Sequence, residues 1–107
     1  MKPETNDLWK KALGYLEEAE ELLKDKKFQE AMRKAIEAFF AAINAINALS
    51  KELEMPDLAT IAMNAGLAWL ELMDSKRYTP KEMVEWIHMR LKWLSDELPP
   101  DTFEPLK

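Results

Sequence analysis

The chain predicts an all-α fold, an antiparallel four-helix bundle with short loops. Apolar residues recur at spacings of three and four in four separate segments. Capping residues and prolines punctuate the junctions between those segments, and no stretch alternates in the manner of a strand. At 107 residues the chain is one domain, spanning 1–107, and folding buries roughly 60–70% of the surface of the extended chain.

The first helix is expected over about 7–24. Pro3 should stop it extending backwards, and Thr5, Asn6 or Asp7 can cap it. Its apolar face is Leu8, Trp9, Ala12, Leu16, Ala19, Leu22 and Leu23, with Glu17, Glu18, Glu20 and Glu21 outside. The second helix runs over about 27–54. The third spans about 57–75 and follows Met55-Pro56, with Asp57 as cap or first-turn acid. The fourth covers about 80–98 and opens on Thr79-Pro80-Lys81-Glu82: a threonine cap, a first-turn proline and a glutamate placed to close a capping box. Residues 99–107 form a tail. Short connections make sequential helices antiparallel neighbours.

Composition removes whole classes of function. With no cysteine there are no disulfides, thiol nucleophiles or thiolate metal sites. A net charge of −5 argues against nucleic acid, whose phosphates need a cationic face. The one lysine cluster, Lys24, Lys26 and Lys27, falls at a turn. The polar start has no apolar signal region, and the longest uncharged runs are about 13 residues, too short to span a bilayer. These features predict a soluble, cytoplasmic protein that binds neither membrane nor nucleic acid.

The second helix sorts into three stripes. Met32, Ile36, Phe39, Ile43, Ile46 and Leu53 are large and apolar, broken by Ser50. Ala35, Ala38, Ala42, Ala45 and Leu49 let a neighbour come close. Glu37, Phe40, Asn44, Asn47 and Lys51 are mixed. The uncharged runs Ala38–Ser50 and Leu58–Leu70 imply that helices two and three are central or half of a subunit interface. A layer count with the turn near Met55 puts Asn47 level with Asn64 and Asn44 with Leu67; His88 falls close by. Three readings follow, one of them that the helices rotate so that these groups never meet. The amides can specify register, satisfying each other or lying at the bundle edge. Alternatively Phe40, Asn44, Asn47, Asn64, Trp69, Trp86 and His88 line a pocket between helices two, three and four for a small apolar or aromatic ligand.

Catalytic and metal motifs are incomplete. Glu85 and His88 have the Glu-x-x-His spacing of di-iron bundles, but His88 is the only histidine, so one chain cannot complete such a site. A lone His88 flanked by Val84 and Leu91 is also the pattern of an axial haem ligand. No oxyanion turn accompanies Ser50, Ser75 or Ser95, and there is no glycine-rich phosphate loop. The sequence therefore points away from an enzyme and supplies no catalytic residue; were one present, Glu37, Glu71 or His88 would be the acid or base. Seven methionines can line an adaptable groove or fill core gaps.

Tyr15 to Ile46, YLEEAEELLKDKKFQEAMRKAIEAFFAAINAI, resembles the first hairpin of HEPN-type domains. That resemblance covers about a third of the chain and implies a small helical bundle, often dimeric, of a kind that partners with nucleotidyltransferases. The nuclease motif of that group, an arginine four to six residues before a histidine, is absent: Arg77 is too far from His88 and Arg90 follows it. The hairpin also looks like one tetratricopeptide unit through Phe28, Ala31 and Ala38, but lacks a second repeat. Strong caps, short turns and the absence of cysteine are equally those of a designed bundle. The leading expectation is a non-catalytic binding or assembly module, homodimeric through helices two and three. The alternative is the ligand or haem pocket.

Overall fold

In a computed structural model, which describes residues 1–104 and 106, the chain forms four helices and, among the described residues, no strand. They are α1 (Pro3–Lys24), α2 (Phe28–Leu53), α3 (Pro56–Ser75) and α4 (Pro80–Glu97). Three of the four begin on a proline. Pro3 therefore opens α1 instead of blocking it, and the helix starts four residues before its expected boundary. A first-turn proline lacks only an N–H that no intrahelical acceptor would have met. Thr5 is buried on the inner side of α1 rather than acting as a cap. The backbone N–H of Lys2 is instead taken by the Glu52 carboxylate of α2, which also places negative charge at the α1 N-terminus.

The other boundaries follow the sequence closely. Glu82 N–H donates to Thr79 Oγ1 at 3.2 Å, and Thr79 N–H donates to Glu82 Oε1 at 3.1 Å, completing the capping box. Glu54 and Lys76 end α2 and α3 in the left-handed conformation, where a side chain is tolerated but glycine is easier. Ser50, the polar break in the large stripe of α2, is buried and donates its hydroxyl to the Met55 carbonyl at 2.9 Å. Its role is to tie the α2–α3 turn together.

Helix α2 is the only element that packs extensively on all three others. Its seam with α1 is built from alanine: Ala12 and Ala19 on α1, and Ala31, Ala35, Ala38, Ala42 and Ala45 on α2, are all fully buried. Side chains that small let two helix backbones approach closely. Lys34 latches the same seam, reaching Glu18 of α1 at 3.3 Å and Glu37 of its own helix at 3.5 Å. The hydrogen bond to Glu18, followed by the negative charges of Glu37 and Glu18, holds the Lys34 ammonium above its usual pKa against the opposing effect of desolvation. On its other side α2 presents Phe39 and Ile46, against which α3 and α4 settle with Leu58, Ala62, Ala65 and Trp69, and with Met83, Ile87, Leu91 and Leu94. Of the two alternatives for these helices, central or half of a subunit interface, α2 is central. Helix α3 is peripheral, burying one face and leaving the opposite one bare.

The expected tail over 99–107 does more than trail, although Pro105 and Lys107 lie outside the described residues. It folds back over the start of α1. Phe103 stacks on Trp9 with ring centroids 4.9 Å apart and planes 5° from parallel. Trp9 is fully buried, and its Nε1–H donates to the Glu104 carbonyl at 2.8 Å, so the one polar atom of the indole is satisfied. Phe103→Ala should therefore remove about 3 kcal/mol of stability. Chemical denaturation followed by tryptophan fluorescence measures it, and a wild-type midpoint would show that the segment covers nothing of consequence.

Candidate functional site

Helical periodicity places Met63, Leu67 and Leu70 on the side of α3 opposite its buried residues, and they are 60, 52 and 59% exposed. Beside them, the outer face of α2 carries Phe40 and Asn44, both exposed, and Asn47, half-buried. Phe40 and Trp69 fix the register, their rings meeting edge to face at 6.0 Å. Between Glu37 and Lys51 on α2, and between Asp57 and Glu71 on α3, this joint face holds no charge. An exposed helix surface normally carries Lys and Glu at such positions. A continuous apolar and amide face of this kind marks an interaction surface.

Under that face lies an aromatic cluster. The Phe39 ring sits 5.5 Å from Trp69 and 5.6 Å from Trp86, and the two indoles are 6.2 Å apart. The structure therefore brings Phe40, Trp69 and Trp86 into one aromatic cluster with Phe39. Trp69 is buried and Trp86 half-buried, so these rings are packing that supports the face from behind.

The amides and His88 do not share a space with one another. Asn44 is exposed and Asn47 half-buried on α2. Asn64 lines a small groove between α3 and α4 with Ile61, Arg90, Trp93 and Leu94. His88 lies on the far side of α4, against α1, where its Nδ1 meets Glu20 Oε1 at 2.5 Å. Layer counting fixes height along the bundle and not rotation about the helix axes, and Asn64 and His88 meet different partners. Glu85 is exposed and pairs with Lys81 at 3.9 Å, so Glu85 and His88 engage different partners. Among the described residues no three His, Asp or Glu side chains are grouped to hold a metal ion. The acidic rim around His88, from Glu17, Glu85, Asp96 and Glu104, would repel the propionates of a haem.

One feature escaped sequence reasoning and a second was only partly legible. The Glu20–His88 pair bounds a cavity of about 280 Å³ between α1, α4 and the tail, floored by Leu13, Leu16 and Leu106. Nothing in the sequence singles out Glu20 among the four glutamates of its run. The ridge Met63–Leu67–Leu70 was legible in part, since the uncharged run of α3 is twice as wide as one buried face needs.

The chain matches no family model, no curated protein and no solved structure. Among the described residues no helix is long and apolar enough to cross a membrane.

The cluster and the face above it should respond differently to truncation. Trp69→Ala should cost about 3–5 kcal/mol as a core deletion, and Phe40→Ala about 1 kcal/mol. Urea unfolding of the two variants gives both numbers. Equal losses would mean that Phe40 is core rather than surface.

Proposed function

We propose that this protein is a non-catalytic assembly module that associates with a second copy of itself through the outer face of α2 and α3. One observation carries the reading: three large apolar side chains, Met63, Leu67 and Leu70, line the solvent side of a helix whose opposite side already supplies the core. The fold gains nothing from them where they stand, while an interface would gain from all three. The likeness of the first hairpin to HEPN-type domains, which are often dimeric, agrees with it.

Sedimentation equilibrium over a concentration series tests this. The wild-type chain should exceed monomer mass at about 100 μM, an association free energy of some 5–6 kcal/mol. Leu67→Glu should weaken association at least about 30-fold, because the interface would then bury an unpaired carboxylate. Its folding stability should stay within about 0.5 kcal/mol of wild type, as expected at a surface position. A wild-type protein that stays monomeric throughout sinks the proposal.

A second reading rests on the cavity beside His88. Leucine floor and acidic wall suit a small ligand with an apolar body and a cationic head. Titration with hexylammonium, followed by the fluorescence of Trp9 next to Glu104, should saturate for wild type and fail for Glu20→Gln. Identical curves for the two proteins would remove it.

A further inference from the structure

Along α4, Trp86, Arg90 and Trp93 recur at spacings of four and three, so they share one side of the helix. The guanidinium carbon of Arg90 lies 5.6 Å from the ring centroid of Trp86 and 5.6 Å from that of Trp93. Two indoles thus hold the cation in place without using any of its N–H donors. Its Nε is buried with no hydrogen-bond partner, and among the described residues no carboxylate pairs with the group. Arginine is normally paired where water is excluded, so an arginine fixed but unpaired asks for an explanation. Arg90 also divides the groove between α3 and α4 into two hollows. The smaller is the one that Asn64 lines. The larger, about 450 Å³, has Ala68 and Leu72 of α3 on one side and Trp86, Met89 and Trp93 of α4 on the other. Exposed Glu71 lines it as well, and does not pair with Arg90.

The geometry points to the larger hollow as a binding site for a free amino acid with an apolar side chain. The ligand carboxylate meets the two terminal nitrogens of Arg90 end-on, since Nε itself is buried. A carboxylate matches that planar fork in shape and charge, and the indoles leave the fork no other partner. A simple anion would also face Glu71. A ligand that carries an ammonium beside its carboxylate turns that repulsion into attraction, whereas phosphate and other multiply charged anions gain nothing from it. The apolar side chain lies against Leu72 and the indoles. The volume falls in the range of small-molecule sites, roughly 300–1,000 Å³. The hollow shares no residue with the cavity beside His88 or with the ridge Met63–Leu67–Leu70, so this inference stands apart from both readings above.

The four tryptophans give four indole N–H signals in a nitrogen–proton NMR spectrum. Titration with L-phenylalanine should move those of Trp86 and Trp93, leave that of Trp9 in place, and saturate with a Kd of about 1 mM or tighter. Phenylalaninamide, which keeps the ammonium but lacks the carboxylate, should bind at least about tenfold more weakly, and Arg90→Gln should weaken phenylalanine as much. N-acetylphenylalanine, which lacks the ammonium, should bind wild type weakly and gain about fivefold on Glu71→Gln, a surface change that leaves the fold intact. No saturation by about 20 mM phenylalanine would overturn the site, as would shifts confined to Trp9. Equal affinity for phenylalanine and its amide would overturn the role of Arg90, and this comparison on the wild-type chain decides the matter even where Arg90→Gln does not fold. Equal affinity for phenylalanine and its N-acetyl form would overturn the pairing with Glu71, and with it the amino acid as ligand.

Discussion

The alanine seam between α1 and α2 is the constraint on which the rest of the structure depends. Seven fully buried alanines let the two longest helices approach closely, and the Lys34 bridge to Glu18 ties their flank. Once α1 occupies that side, α2 has one apolar side left, carrying Phe39 and Ile46. Both α3 and α4 must compete for it. Helix α4 also reaches α1, whereas α3 rests on α2 and the Trp69–Trp86 contact. The peripheral place of α3 is therefore a consequence of the close packing of α1, not of anything weak in its own sequence.

That placement explains the composition of α3. A peripheral helix needs one apolar stripe for the core, which Leu58, Ala62, Ala65 and Trp69 provide. A second apolar stripe opposite the first contributes nothing to a monomer and adds a risk of aggregation. The self-association proposed for this face would give the outer stripe the partner that the monomer lacks.

Much of the fold was legible because its determinants are local. Thr79, Pro80 and Glu82 sit within four residues and act on one helix end, so spacing alone reveals the capping box. The stripes of α2 and the levels of Phe40, Trp69 and Trp86 follow from helical periodicity and turn position. What failed was information about rotation and about distant partners. Pro3 is a breaker or an opener depending on what accepts the N–H of Lys2, and that acceptor, Glu52, is 50 residues away. Phe103 reads as an aromatic in a polar tail until Trp9 is placed beneath it. His88 and Asn64 count to nearby levels, but a level carries no information on rotation, and His88 turns to Glu20 on α1 while Asn64 lines the groove between α3 and α4.

In the proposed self-association Asn44 and Asn47 would have a physical role that neither burial nor a pocket supplies. Leucines there would join Phe40, Met63, Leu67 and Leu70 into an unbroken greasy face, sticky toward any apolar surface. Amides keep the centre of the face hydrated while a chain is alone, yet they are small and uncharged, so a partner can cover them at modest desolvation cost. They must then find hydrogen bonds across the proposed interface or through bridging water, which penalises a shifted or inverted alignment more than an all-leucine face would. Raw affinity in the proposed interface would thereby be exchanged for a defined register.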